Sequence, residues 1–348
     1  MRVAVIGASG YVGGELMRIF TMHRDAEVTI ATSESSAGRP IHSVHFNLRG
    51  YYRGLRFTKY SLDAVSKTAD AAFLALPHGR SLNVVPELLE VGMTVIDLSA
   101  DYRLRNPEDY ERWYGFTHPY PDLLSRAVYG LPEIHREELR RAKLIASPGC
   151  NATASILAIL PLATSGLIGD DPIIIDVKAG SSEAGSRPSL PDHHPEREGT
   201  VRPYSPEGHR HVAEVVQEIG GIVGRGVTAY LTPHAVPSVR GALATAYVIA
   251  DRDVGERELI AAYARTYGKE PFIRIVRNTP IRYPNTKYVI GSNFADVSFA
   301  REGKRLIKAF AAIDNLMKGA AGQAVQAFNL AAGFDETEGL RAPPLRPV

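Results

Sequence analysis

The chain has 348 residues, with 40 Lys and Arg against 38 Asp and Glu, a net charge of +2 and 45% hydrophobic residues. That length exceeds one typical core and predicts two domains, and the near balance of charge excludes the strong field that nucleic acid or a membrane surface selects, leaving a small soluble substrate. No charged and then apolar leader precedes the first strand, and the longest apolar run, 154–163, is interrupted by Pro161 and falls short of the ~20 residues of a membrane span, so the expected location is the cytoplasm.

Residues 2–6 read as a strand that hands over to Gly7-Ala8-Ser9-Gly10-Tyr11-Val12-Gly13-Gly14, after which Leu16, Ile19 and Phe20 repeat at helical spacing through 15–22. Strand, glycine turn and helix in this order form a dinucleotide fingerprint: backbone N–H groups at the helix start hold a pyrophosphate, and the glycines let it come close. The expected cofactor contacts are Gly7, Ser9, Gly10, Tyr11, Val12 and Gly13. The next strand, 27–32, ends at Ser33-Glu34-Ser35-Ser36 with Arg39 beyond. Glu34 is near the spacing at which an acid meets the ribose of NAD, but the hydroxyls of Ser33, Ser35 and Ser36 and the Arg39 cation suit a 2′-phosphate, which favours NADP(H). Strands at 69–76 and 93–98, with a helix at 82–91 between them, extend the alternation and predict an α/β fold with a Rossmann-type doubly wound parallel sheet. Pro77, His78, Ser99 and Arg103 follow the carboxyl ends of these strands, where ligands bind; Arg103 reads as a phosphate clamp or as an ion-pair partner of Asp97 or Asp101.

Cys150 is the one cysteine, set after a strand at 143–146 and the turn Ser147-Pro148-Gly149, at the head of an apolar helical run ending near Leu160. At a first helical turn, unpaired N–H groups and the macrodipole favour the thiolate, which makes Cys150 a nucleophile; the alternative is an inert packed thiol. A thiolate beside a nicotinamide points to acyl transfer followed by hydride reduction, which needs an acid/base, an anion site and exclusion of water. His209, His211 and His78 compete for the acid/base role, and spacing does not choose among them.

Beyond Cys150, a strand at 172–178, a polar stretch at 180–206, a helix at 210–219 and strands at 227–234, 242–250, 293–300 and 306–313 predict an α+β domain with a mixed sheet and few helices. A helix over 315–332, rich in small residues, is expected to pack back on the first domain, followed by an irregular tail. The expected division is an NADP-binding domain at 1–149, completed by 315–348, and a catalytic and oligomerisation domain at 150–314. Adjacent His193 and His194 point apart in an extended chain, so no metal is expected.

Five stretches carry a family resemblance: Gly7-Ala8-Ser9-Gly10-Tyr11, Ser147-Pro148-Gly149-Cys150, Gly208-His209-Arg210-His211, residues 232–241 and residues 312–322. In order and spacing they resemble N-acetyl-gamma-glutamyl-phosphate reductase and its aspartate-semialdehyde dehydrogenase relatives, over 2–334. The resemblance implies an NADP(H) enzyme with Cys150 as acyl acceptor, His209 as acid/base and Arg103 at the phosphate, in a homo-oligomer, dimer or tetramer. The assignment adds Pro77 and Asn315 to the cofactor contacts, and Ser99, Asn151 and Arg240 to the substrate or phosphate contacts. Two departures stand out: Asn151-Ala152-Thr153 replaces the usual Tyr-Pro-Thr, and Ser181-Ser182-Glu183-Ala184-Gly185 replaces a Ser-Gly-Ala-Gly loop. Residues 187–197 look more like the branch that reduces aminoadipyl or glutamyl phosphate on a small acidic carrier protein, in lysine or arginine biosynthesis. Arg187, His193, His194, Arg197 and Arg202 would form a cationic rim for that carrier; the alternative is an ordinary polar loop, since Asp192, Glu196 and Glu198 offset the arginines. The alternatives are the free acetylated substrate and, in another class, an NADP-binding redox sensor.

Overall fold

The computed structural model describes residues 1–277 and 280–348. Two compact units divide the chain: one from Met1–Glu111, Phe116–Pro148 and Ala320–Ala342, the other from Arg112–Gly115, Gly149–Gly319 and Pro343–Val348. Among the described residues, no helix is long and apolar enough to cross a membrane.

The first unit holds strands β1 (Arg2–Ile6), β2 (Glu27–Thr32), β3 (Phe57–Thr58), β4 (Ala71–Leu74), β5 (Thr94–Asp97), β6 (Ala127–Tyr129) and β7 (Leu144–Ala146). They pair in parallel in the order β3-β2-β1-β4-β5-β7-β6. Every residue of β4 is buried, as a parallel strand covered on both faces requires. The chain runs outward from β1 through β2 and β3 and then returns to β4, so the order reverses between β1 and β4, where such sheets take their ligands. The return segment completes this core: the fully buried Phe328 packs edge-on against Phe20 and Phe73, and Glu338 pairs with Arg24 at 2.7 Å. That helix covers Gly322–Ala332 and is preceded by a wider π turn, Met317–Ala321, so the continuous helix expected from 315 is broken at its start.

The second unit holds β8 (Ile173–Ala179), β9 (Arg202–Pro203), β10 (Ala229–Ala235), β11 (Ala242–Ile249), β12 (Ile273–Ile275), β13 (Ala295–Glu302) and β14 (Leu306–Ile313). They form a mixed sheet in the order β12-β13-β14-β11-β8-β10-β9. Along β11 the even positions Ala242 to Val248 are buried, while Leu243, Thr245, Tyr247 and Ile249 face outward. Against the sheet lies the Cys150–Thr164 helix, buried from Asn151 through Ala163 and flanked by the helices His211–Val223 and Glu256–Tyr267.

Proline was expected to interrupt the apolar run at Pro161, yet the helix continues to Thr164. Pro161 offers no N–H to the Leu157 carbonyl one turn back, and the Tyr267 hydroxyl donates to that oxygen instead, at 2.6 Å. The first unit repeats the device. Pro86 lies inside the Ser81–Glu90 helix, and the Tyr102 hydroxyl donates to the stranded Leu82 carbonyl at 3.0 Å.

Candidate active site

In the first unit the glycines divide the work. Gly7 has φ +82°, and a Cβ there would stand 2.4 Å from the Ala75 carbonyl oxygen, so only glycine makes this turn. Gly13 meets Ala8 at 2.6 Å in the same test, which is the close helix-to-strand approach, whereas a Cβ on Gly10 would find only Gly7 O at 4.0 Å. Gly10 is the N-cap of the Tyr11–Phe20 helix and has no side chain to occupy its orphan N–H groups. Open space over an uncapped helix start fits a dinucleotide pyrophosphate. His45, which the sequence did not single out, braces this turn: its Nε2 bonds the Ala8 carbonyl at 2.8 Å, and its ring leaves no room for a side chain on Gly14.

The expected ribose-phosphate residues also gather here. Ser9 Oγ and Ser33 Oγ lie 2.8 Å apart, Ser33 Oγ lies 3.5 Å from Ser35 Oγ, and the Ser36 N–H donates to Ser33 Oγ at 3.2 Å. Arg39 is exposed and donates to the Ser43 carbonyl at 2.9 Å. Glu34 is turned to the Tyr60 N–H at 3.2 Å. After β4, His78 Nδ1 accepts the Ala100 N–H at 3.0 Å. Ser99 Oγ donates to Asp97 at 2.7 Å, and burial, ahead of the neighbouring Asp101, pushes the Asp97 carboxyl up to about 6. Arg103 is buried and donates to the carbonyls of Ser147 at 2.7 Å and Leu98 at 3.1 Å, so its guanidinium is oriented by backbone.

In the second unit Gly149 caps the nucleophile helix and Cys150 is its first residue, half-buried. Three groups fix this corner. The Gly149 N–H donates to Glu214 Oε2 at 2.9 Å; a Cβ on Gly149 would stand 2.4 Å from His211 Nε2; a Cβ on Gly319 would stand 2.8 Å from the Cys150 Cβ. Glu214 is fully buried and its Oε1 lies 4.0 Å from His211 Nε2. The expected His209 sits beside this ring, 4.5 Å between centroids, with its Nδ1 accepting the His211 N–H at 3.2 Å. Burial, reinforced by Arg210, drives His209 down to about 4. Asn151 is buried; its Oδ1 accepts from the Cys150 thiol at 3.7 Å and its Nδ2 donates to Tyr204 Oη at 3.2 Å. Glu183, Tyr204, Glu214 and Gly319 were missed as site residues. Only the Glu at 183, in place of a loop glycine, was visible as a departure.

The remaining expected residues lie elsewhere in the same unit. Arg240 pairs with the buried Asp314 at 3.2 Å. Asn315 accepts the Gly241 N–H at 2.8 Å and donates to Ser182 Oγ at 2.9 Å. Of the rim cations, Arg187, His193 and His194 are exposed and Arg202 is half-buried. Arg197 departs from the expected rim: it is 5% exposed and donates inward to the Ala179 carbonyl at 3.0 Å, because the short His194–Arg197 helix turns it under the loop.

Residues 2–142 match the semialdehyde dehydrogenase NAD binding domain, and 150–315 match the semialdehyde dehydrogenase dimerisation domain. The chain belongs to the semialdehyde dehydrogenase family. Within it, the chain is 55% identical over 350 residues to the LysW-L-2-aminoadipate/LysW-L-glutamate phosphate reductase of Saccharolobus solfataricus, covering 100% of this chain and 99% of that protein. The Sulfurisphaera tokodaii protein of the same name is 57% identical over 350 residues, covering 100% of both. These relatives agree with the carrier-linked branch to which residues 187–197 pointed. Among solved structures, aspartate semialdehyde dehydrogenase II from Vibrio cholerae shares the fold, with TM-score 0.73 and 17% identity over 95% of this chain and 98% of that one. Aspartate semialdehyde dehydrogenase with NADP from Candida albicans also shares it, at TM-score 0.69 and 14% identity over 95% and 98%.

Proposed function

We propose that this semialdehyde dehydrogenase family member reduces aminoadipyl or glutamyl phosphate, carried on a small acidic protein, to the semialdehyde, with release of phosphate. The observation that carries the reading is the corner at Gly149 and Cys150: a helix-start thiol beside an imidazole and a buried carboxylate. The relatives' names supply the substrate, and the exposed Arg187, His193 and His194 suit an acidic carrier.

Cys150 sulfur attacks the acyl carbon, the carbon–oxygen bond to phosphate breaks, and a thioester on Cys150 remains. Arg103, already aligned by two carbonyls, is the proposed holder of the departing phosphate, with Ser99 beside it and Arg240 on the substrate. The glycine turn at Gly7, Gly10 and Gly13 would hold NADPH, which would supply the hydride, with Ser33, Ser35, Ser36 and Arg39 placed to hold its 2′-phosphate; Pro77 and Asn315 are the further contacts that the resemblance implies. Reduction and loss of the Cys150–carbon bond release the aldehyde.

The proton shuttle comes from the histidine pair. The resemblance points to His209, but two observations favour His211: its ring lies against the residue before Cys150, and Glu214 stands beside it to stabilise the imidazolium. Cys150→Ser should abolish turnover of the carrier-linked acyl phosphate while NADPH binding persists; full activity in that variant sinks the mechanism. Comparing carrier-linked with free acetylated substrate tests the substrate reading.

We further propose that two copies pair through the open face of the second sheet. Ile174 is 46% exposed, Tyr230 59% and Ile249 37%, and the matching family model is named for dimerisation.

A further inference from the structure

In the second unit a directed line of hydrogen bonds leads from the sulfur to a carboxylate. The Cys150 thiol donates to Asn151 Oδ1 at 3.7 Å, Asn151 Nδ2 donates to Tyr204 Oη at 3.2 Å, and the Tyr204 hydroxyl donates to Glu183 Oε2 at 2.5 Å. The fold aims each member. Asn151 is the second residue of the buried helix; the Tyr204 N–H is tied to the Pro233 carbonyl at 3.0 Å, and the next residue, Ser205, turns away with φ +48°. Glu183 sits on the turn after β8, its side chain 13% exposed and its Oε1 3.8 Å from Arg197.

The charged and titratable groups facing Glu183 are Tyr204, Arg197, Asp192 and Arg202. Burial outweighs the Tyr204 hydrogen bond and the Arg197 cation and raises the Glu183 carboxyl to about 7. Tyr204 is held far above its ordinary range, by burial first, then by Glu183, with Cys150 contributing. It therefore stays a neutral hydroxyl that both donates and accepts.

This direction cannot survive ionisation of the sulfur. A thiolate accepts and does not donate, so Asn151 Oδ1 would face a negative atom with no proton between them. The carboxamide is nearly symmetric in shape, and a half-turn of it presents Nδ2 to the sulfur and Oδ1 to Tyr204. The phenol then points its hydrogen at Oδ1, and Glu183 keeps its bond to the phenol oxygen only by donating, which requires it to be protonated. One proton leaves the sulfur, one binds Glu183, and the pair keeps a single negative charge in the low-dielectric corner.

We propose that Tyr204 and Glu183 are positioning residues that select which face of the Asn151 carboxamide meets Cys150, so that ionisation of the thiol is coupled to protonation of Glu183. The nucleophile reading gives the coupling its use in turnover. The coupling itself belongs to the resting protein.

The test is the pH dependence of iodoacetamide alkylation of Cys150 in the full chain without substrate, for wild type, E183Q, Y204F and the double variant, with thermal melts reporting folding. The carboxamide introduced by E183Q carries a permanent donor and mimics the protonated acid, so above pH 7, where wild-type Glu183 is ionised, this variant should lower the thiol pKa by about one unit and raise alkylation near pH 8 roughly tenfold, with little change near pH 6, where Glu183 already carries its proton. With Y204F in place, adding E183Q should change nothing. Superposable profiles for wild type and E183Q, or an equal shift with and without the Tyr204 hydroxyl, would overturn the coupling. Absence of acyl-phosphate turnover would instead refute the proposed function and leave the alkylation result readable.

Discussion

Gly319→Ala tests the Cys150 corner most sharply. The added Cβ would stand 2.8 Å from the Cys150 Cβ and 3.3 Å from the Asp314 carbonyl, against 3.4 Å for the onset of ordinary contact. Neither neighbour is a flexible tip: one carries the nucleophile, and the other residue is fully buried with its carboxylate engaged by the Gly291 and Leu316 N–H groups. Gly319 does not occupy the left-handed region, so alanine meets no dihedral penalty and the effect isolates the contact. The two β-carbons must part by about 0.6 Å, and since a misplacement of ~1 Å costs on the order of a hundredfold in rate, kcat should fall roughly tenfold or more. Overpacking should cost about 1–3 kcal/mol in chemical denaturation. Steady-state assays with carrier-linked acyl phosphate, together with alkylation of Cys150, read both effects. A variant with wild-type kcat and alkylation rate would mean that the sulfur's position is not set by this contact.

Tyr267→Phe should strand the Leu157 carbonyl above Pro161 and cost about 1–3 kcal/mol of stability, and Pro161→Ala, which restores an N–H, should recover much of it in a double-mutant cycle. Two buried groups tilt the pH dependence in opposite directions. The folded pKa of Asp97 is raised from 3.8 to about 6, so its ionisation costs stability as pH rises through that window, and Asp97→Asn should remove about 3 kcal/mol of that slope. The folded pKa of His209 is lowered from 6.5 to about 4, so its contribution is complete above 6.5 and is lost as pH falls toward 4. Because the two slopes oppose each other between about pH 4 and 6, His209→Gln should remove the acid-side loss and leave stability rising as pH falls, and a variant whose denaturation midpoints track those of the wild type at every pH would contradict the assignment. Arg39→Ala should weaken NADPH binding by roughly tenfold while leaving NADH binding nearly unchanged, as measured by fluorescence titration.

Patterns in which consecutive residues carry the information were legible in the sequence. The glycine turn between strand and helix, the serines after β2 and the helix-start cysteine each depend on local backbone chemistry. The elements missed were β3, β6, β9 and β12, of two or three residues, and helices such as Glu256–Tyr267, whose polar composition hid their apolar stripe. The fate of Pro161 could not be foreseen, because the hydroxyl that rescues its helix comes from Tyr267, 106 positions away.

The sequence by itself determined the reaction class: a dinucleotide turn and one thiol at a helix start leave few chemistries open, because both act through neighbouring N–H groups. Only the tertiary structure decided which side chains surround that thiol. Glu214, His211, Tyr204, Glu183 and Gly319 come from a helix, loops and a π turn separated by tens of residues, brought to one corner by burial of the Cys150–Thr164 helix. Contacts of that range leave no spacing to read, since they are set by what packs against the helix and not by what precedes it in the chain.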